Sequence, residues 1–203
     1  SLPPLPSDTI VPTGSLSINN NSAYTNSRMV TLGLSAADNI GVTGYYISPN
    51  STTPSADASG WQSIKSSINY TENISYTLNS GDGGKWVYAW YRDAAGNISN
   101  IASDSIILDT TPPSISITRP SSDSYYPTES KIVELGGDAS DTTSGICEVI
   151  WSDGTNKLKA NRTSHGWSAA IELKSKTCTI TVTALDCAGN MSEDTIRIET
   201  ASS

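Results

Sequence analysis

The segment Arg92–Ser99 reads RDAAGNIS, and it returns as Leu185–Ser192, LDCAGNMS. Two further pairs keep the same order along the chain. SDTIVPTGSLSI at Ser7–Ile18 matches LDTTPPSISIT at Leu108–Thr118, with a proline four residues after the aspartate in each. SAADNIGV at Ser35–Val42 matches ASDTTSGI at Ala139–Ile146, an aspartate turn ahead of a glycine and an aliphatic residue. Ordered self-similarity of this kind is the mark of tandem modules. The boundary falls near Asp109, so residues 1–7 read as a linker, 8–108 as one domain and 109–203 as a second.

Between the repeated turns run short alternating segments. In the first copy they fall near Gly14–Asn19, Arg28–Ala36, Val42–Ser48, Trp61–Lys65, Ile74–Leu78, Trp86–Arg92 and Ser103–Leu108. In the second they fall near Ser114–Thr118, Lys131–Gly137, Ile146–Ser152, Lys157–Ala160, Ser168–Leu173, Cys178–Leu185 and Asp194–Glu199. Phe is absent, and Val, Ile, Thr, Tyr and Trp carry the strand-forming content. About seven short strands per copy, punctuated by Gly, Asn, Asp and Pro, predict an all-β chain of two tandem immunoglobulin-like β-sandwiches. The two prolines of LDTTPP restrict the connection between them.

The DTTPP junction, the aspartate turn before Gly-Val and the DxAGN[IM]S motif together resemble tandem bacterial immunoglobulin-like (Big-type) repeats. The resemblance covers nearly the whole chain. It implies a structural, adhesive or spacer segment of a large secreted or surface-anchored prokaryotic protein, or an accessory module on a secreted enzyme. It fixes no ligand. The expected partners are neighbouring repeats of the same chain, with a surface glycan or another protein as a further candidate. The opening SLPPLPSDTIVPTG reads as a linker within something longer. A net charge of −8 with only 16% charged residues argues against a nucleic-acid footprint. The chain contains no apolar run long enough to span a bilayer, and no signal peptide opens it.

The repeat also sets a register. Asp93–Asn97 aligned on Asp186–Asn190 lays Val87, Ala89 and Tyr91 over Ile180, Val182 and Ala184. In TCTITVTALD the parity is unambiguous, with the aliphatic residues inward and the threonines outward. Carried back, that parity places Trp86, Tyr88 and Trp90 on the outer face, beside an outward Tyr46 on the neighbouring strand. Such a stripe has three competing readings: local cover by the 50–60 loop, an interface with another module, or a platform for sugar rings. Trp61 and Trp167 each open an alternating segment and read as core anchors.

In an immunoglobulin sandwich the incoming linker and two of the loops share one end. That gathers Asp8, Asp38 and Asp93 in the first copy, and Asp109, Asp141 and Asp186 in the second, with Asp138 near them. Three carboxylates beside backbone carbonyls are the hard oxygen set that Ca2+ takes, and it is the only cofactor the sequence suggests. The competing reading is that each Asp accepts N–H bonds within its own turn. Cys147 opens one strand and Cys187 follows its antiparallel neighbour, so this pair is expected to form a disulfide, leaving Cys178 free as a small core residue. The bridge would fit an exported protein at the cell surface or outside it. His165, the only histidine, sits in a turn, and neither a nucleophile elbow nor a phosphate loop is present. The sequence therefore reads as non-catalytic.

Overall fold

The computed structural model describes residues 8–163 and 166–200. The expected linker at 1–7 and His165 lie outside the described residues. The chain divides after Leu108 into two compact units, the second starting at Asp109. Every regular element among the described residues is a strand, and none is a helix long and apolar enough to cross a membrane.

The first unit is built from β1 (Thr13–Ile18), β2 (Tyr24–Thr25), β3 (Met29–Ser48), β4 (Gln62–Thr77), β5 (Gly83–Asp93) and β6 (Ala102–Leu108). They form one sheet in the order β1-β3-β5-β6-β2, with β4 also paired to β3. The four segments expected separately at Arg28–Ala36, Val42–Ser48, Trp61–Lys65 and Ile74–Leu78 are here two long strands. β3 and β4 pair from Met29↔Thr77 to Ala37↔Asn69, slip, and resume at Val42↔Ser67. The aspartate turn at 38–41 is thus a bulge inside a continuous strand. Gly41 permits it with φ +144°, and Asp38 accepts the Ile40 and Gly41 N–H groups.

The bulge turns the sheet over on itself. Leu16, Ile18, Val30, Leu32 and Leu34 from before it share one buried core with Val42, Val87, Ala89, Tyr91 and Ile106 from after it. The Tyr91 hydroxyl donates to the Ser15 carbonyl at 2.6 Å, so this bulky core residue leaves no buried polar group unpaired.

Among the described residues the second unit has nine strands: β7 (Ser114–Arg119), β8 (Tyr125–Thr128), β9 (Ile132–Ser140), β10 (Ile146–Ser152), β11 (Lys157–Lys159), β12 (Asn161–Thr163), β13 (Gly166–Glu172), β14 (Thr177–Asp186) and β15 (Met191–Thr200). Two sheets, β11-β10-β14-β15-β8 and β12-β13-β9-β7, face each other. Val133, Leu135, Trp167 and Ile171 from one meet Val149, Trp151, Ile180, Val182 and Ile196 from the other. Trp167 is a core anchor, as expected. The count departs from seven in both units. In the first, strands fuse; in both, short pieces such as β2 and β8 join an edge in parallel pairing.

Close packing of β7 on β9 gives a test of this core. A Cβ added to Gly137 would stand 1.8 Å from the Ser116 carbonyl oxygen, a backbone atom with no room to yield. Gly137→Ala is therefore expected to destabilise the second unit by at least about 1–3 kcal/mol. A thermal unfolding midpoint unchanged from the parent chain would contradict the β7–β9 register.

Candidate functional site

Strand β5 carries the crowded faces that the sequence singles out. Its register against β3 pairs Tyr46 with Trp90 and Ser48 with Tyr88. Val87, Ala89 and Tyr91 are fully buried in the core, and the alternate residues lie on the other face. That outer stripe is not uniformly open. Trp86 is 55% exposed, Tyr88 is half-buried, and Trp90 is 0% exposed. Trp90 cannot serve as part of an accessible platform, which corrects its place among the ligand candidates.

The cover is Trp61 and the loop before it. Trp61 meets the Tyr46 ring edge-on at 5.6 Å, and Tyr46 meets Trp90 edge-on at 6.1 Å. The Trp61 indole N–H donates to the Ser55 carbonyl, and the Arg92 guanidinium lies 4.7 Å from the Trp61 ring centre while donating to the Ala56 carbonyl. Gly60 is needed at the turn into Trp61, because a Cβ there would stand 2.5 Å from the Tyr46 ring. Trp61 is buried, yet it packs outside the inter-sheet core, so its expected role as a core anchor is corrected to that of a lid on the outer face.

The other end of the stripe stays open. The Trp86 and Tyr88 rings lie 6.2 Å apart and within 14° of parallel. Beside them runs a groove of about 290 Å³ walled by Pro49, Tyr76, Asn79 and Lys85. An aromatic pair with polar neighbours is a surface that offers both stacking and hydrogen bonding.

The aspartates assemble as the repeat suggests. Asp8, Asp38 and Asp93 each bring a carboxylate oxygen within 4.8 Å of the others, and so do Asp109, Asp141 and Asp186. Asp138 stands apart, exposed on β9. Much of each cluster is tied into its own turns. Asp93 accepts the Asn97 backbone and side-chain N–H groups at 2.9 and 2.7 Å. Asp186 accepts three backbone N–H groups, from Ala188, Gly189 and Asn190. Asp141 accepts three as well, from Thr143, Ser144 and Gly145. Burial raises the Asp141 pKa, but these bonds outweigh it and hold the carboxyl below the usual carboxylate value.

The asparagine of the repeated motif acts as a clamp that the sequence reading missed. Asn97 Nδ2 donates to the Asp8 carbonyl at 3.0 Å, and Asn190 Nδ2 donates to the Asp109 carbonyl at 2.8 Å. Each asparagine thus fastens a turn to the chain entering its own unit. Its presence in both copies of the motif was the available signal.

Cys147 and Cys187 form the expected disulfide, with Cα atoms 4.9 Å apart. Cys178 is free and half-buried against the core; burial, and then the nearby Asp153 charge, push its thiol pKa up. A raised pKa makes a poor nucleophile.

Residues 113–186 match the Big_7 family model, a bacterial Ig domain. A sequence search among curated proteins finds no match. Among solved structures, the chain is similar to the fibronectin(III)-like modules of Clostridium thermocellum CbhA, with TM-score 0.53 and 16% identity over 91% of this chain and 93% of that one. A structure from a 1.5-MDa bacterial ice-binding adhesin, described for host cell surface retention, aligns at TM-score 0.46 and 18% identity over 97% of this chain and 67% of that one. At such identities the likeness to CbhA speaks to the fold, which is all-β and immunoglobulin-like.

Proposed function

We propose, starting from a second unit that matches a bacterial Ig domain and a first unit that repeats its motifs, that this chain is a non-catalytic structural or adhesive segment of a larger exported protein. The observation that carries the reading is that each unit closes its own hydrophobic core. Units closed in this way can be strung in series without depending on one another. The disulfide in the second unit fits an oxidising, extracellular or cell-surface setting, and the acidic, Ser/Thr/Asn-rich composition suits a well-solvated spacer. The natural partners of such a segment are neighbouring repeats of the same protein. Extension of the single chain from its two ends is expected to give two separate unfolding events. A single gradual lengthening without discrete events would rule out independent load-bearing units.

A second reading is favoured by the open end of the outer stripe. Trp86 and Tyr88, nearly parallel and beside a groove with polar walls, suit stacking against sugar rings. On this reading the segment holds a surface polysaccharide. Trp86→Ala would then weaken retention on the bound glycan by about tenfold or more while leaving the fold intact. Unchanged retention across a polysaccharide panel would leave the structural reading alone.

A further inference from the structure

Strand β4 has an open edge. Among the described residues it pairs with β3 alone, and from Asn69 to Thr77 that pairing runs without a break. The Leu78 N–H donates to the carbonyl of Arg28, the residue before β3. Backbone groups alternate in direction along an extended strand, so those of Thr71, Asn73, Ser75 and Thr77 point away from β3. Their side chains are all exposed. Between Asn69 and Thr77 the edge holds no proline and no lysine, and its one charge is Glu72. Other edges are better guarded. β1 is six residues long, and its Ile18 N–H is taken by the Asp104 carboxylate at 2.7 Å. In the second unit β13 holds the place of β4, paired to β9, with Leu173 N–H on the Lys131 carbonyl where Leu78 meets Arg28. There the chain supplies β12 to cover part of the other side. A regular, nearly uncharged edge with no such cover is a template for a further strand.

We propose that β4 pairs antiparallel with β4 of a second copy of this chain, about a twofold axis at Ile74. A strand that pairs with itself needs a self-complementary register, and this one has it. Placing Ile74 opposite its own counterpart sets Asn73 opposite Ser75, Glu72 opposite Tyr76 and Thr71 opposite Thr77, each pair occurring twice. The small polar pairs are also the residues whose N–H and C=O groups face outward, so they supply the ladder bonds. Ile74 and Tyr76 are half-buried at the margin of the first unit's core, and the pairing extends their burial. Charge selects among the registers. An axis at Glu72 would oppose the two carboxylates, and an axis at Asn73 would set them diagonally adjacent. The axis at Ile74 places each Glu72 opposite a neutral tyrosine and keeps the two carboxylates well apart.

The pairing rests on the edge itself and is independent of whether the chain acts as a spacer or holds a glycan. A contact of one strand on one strand is small, so association is expected at roughly 10–500 µM chain. Sedimentation equilibrium of the full chain should show a reversible monomer–dimer equilibrium over that range. Hydrogen exchange should slow at the Thr71, Asn73, Ser75 and Thr77 amides at high concentration and stay fast there at low. Ser75→Pro removes an outward N–H that β3 does not use, and Ser75→Lys places like charges diagonally across the axis. Each should weaken dimerisation by about tenfold or more. Thr179→Lys, on the second unit, should leave it unchanged. If Ser75→Pro fails to fold, Ser75→Lys, at an exposed side chain, gives the reading alone. A monomer at every concentration up to about 1 mM would overturn the proposal. A dimer that Ser75→Lys does not weaken, or one that leaves those amides unprotected, would overturn it as well.

Discussion

Replacing Trp90 by alanine is expected to destabilise the first unit by about 3–5 kcal/mol, the usual cost of emptying a large buried aromatic site. The ring is fully buried although it lies outside the core between the layers. Its loss removes the edge contact from Tyr46 and the tilted contact from Tyr88, and it leaves Trp61 covering a void. For a unit of this size the unfolding midpoint should fall by more than about 10 °C. Trp90→Phe should cost much less, because a ring still fills most of the site and the buried Trp90 indole N–H has no hydrogen bond among the described residues to lose. Differential scanning calorimetry, with the second unit's transition as a reference, reads both variants. A Trp90→Ala cost below about 1 kcal/mol would mean that the 50–60 loop does not seal this face.

The second large effect belongs to the disulfide and to the other unit. The Cys147–Cys187 bridge spans a sequence separation of 40 residues. A loop of that length constrains the unfolded chain by about 4 kcal/mol in the chain-entropy treatment. The Cys147→Ser, Cys187→Ser double variant should lose most of this from the second unit alone. The first unit carries Thr43 and Ala94 at the aligned positions and closes its core without a bridge. Reductant should reproduce the loss in the parent chain, and Cys178→Ser should not. Thiol titration gives an independent check: one reactive cysteine after unfolding without reductant, and three with it. Three thiols without reductant would contradict the bridge.

The parts of this architecture that follow from local pattern were legible in the sequence. The inward residues Val87, Ala89 and Tyr91 could be assigned because the sister strand spells the same alternation with threonines outward. The disulfide could be assigned because adjacent antiparallel strands bring the start of β10 beside the end of β14. What escaped depends on pairings far apart in sequence. β4 runs unbroken against both halves of β3, and this carries Trp61 onto the outer face instead of into the core. Nothing in the alternation of WQSIK distinguishes those two placements. The bulge at Gly41 was visible as a turn, but a turn and a bulge share the same residues and differ only in what pairs across them. The short parallel partners β2 and β8 hold too few residues to show any period.

Single-molecule extension in both redox states shows whether the chain is a series of independently closed structural units. Two discrete unfolding events are expected. One of them should gain length on reduction by the 40 residues the bridge withholds, roughly 130–140 Å of extended chain. The other should be the same in both states. A single cooperative event, or two events neither of which lengthens on reduction, would contradict it.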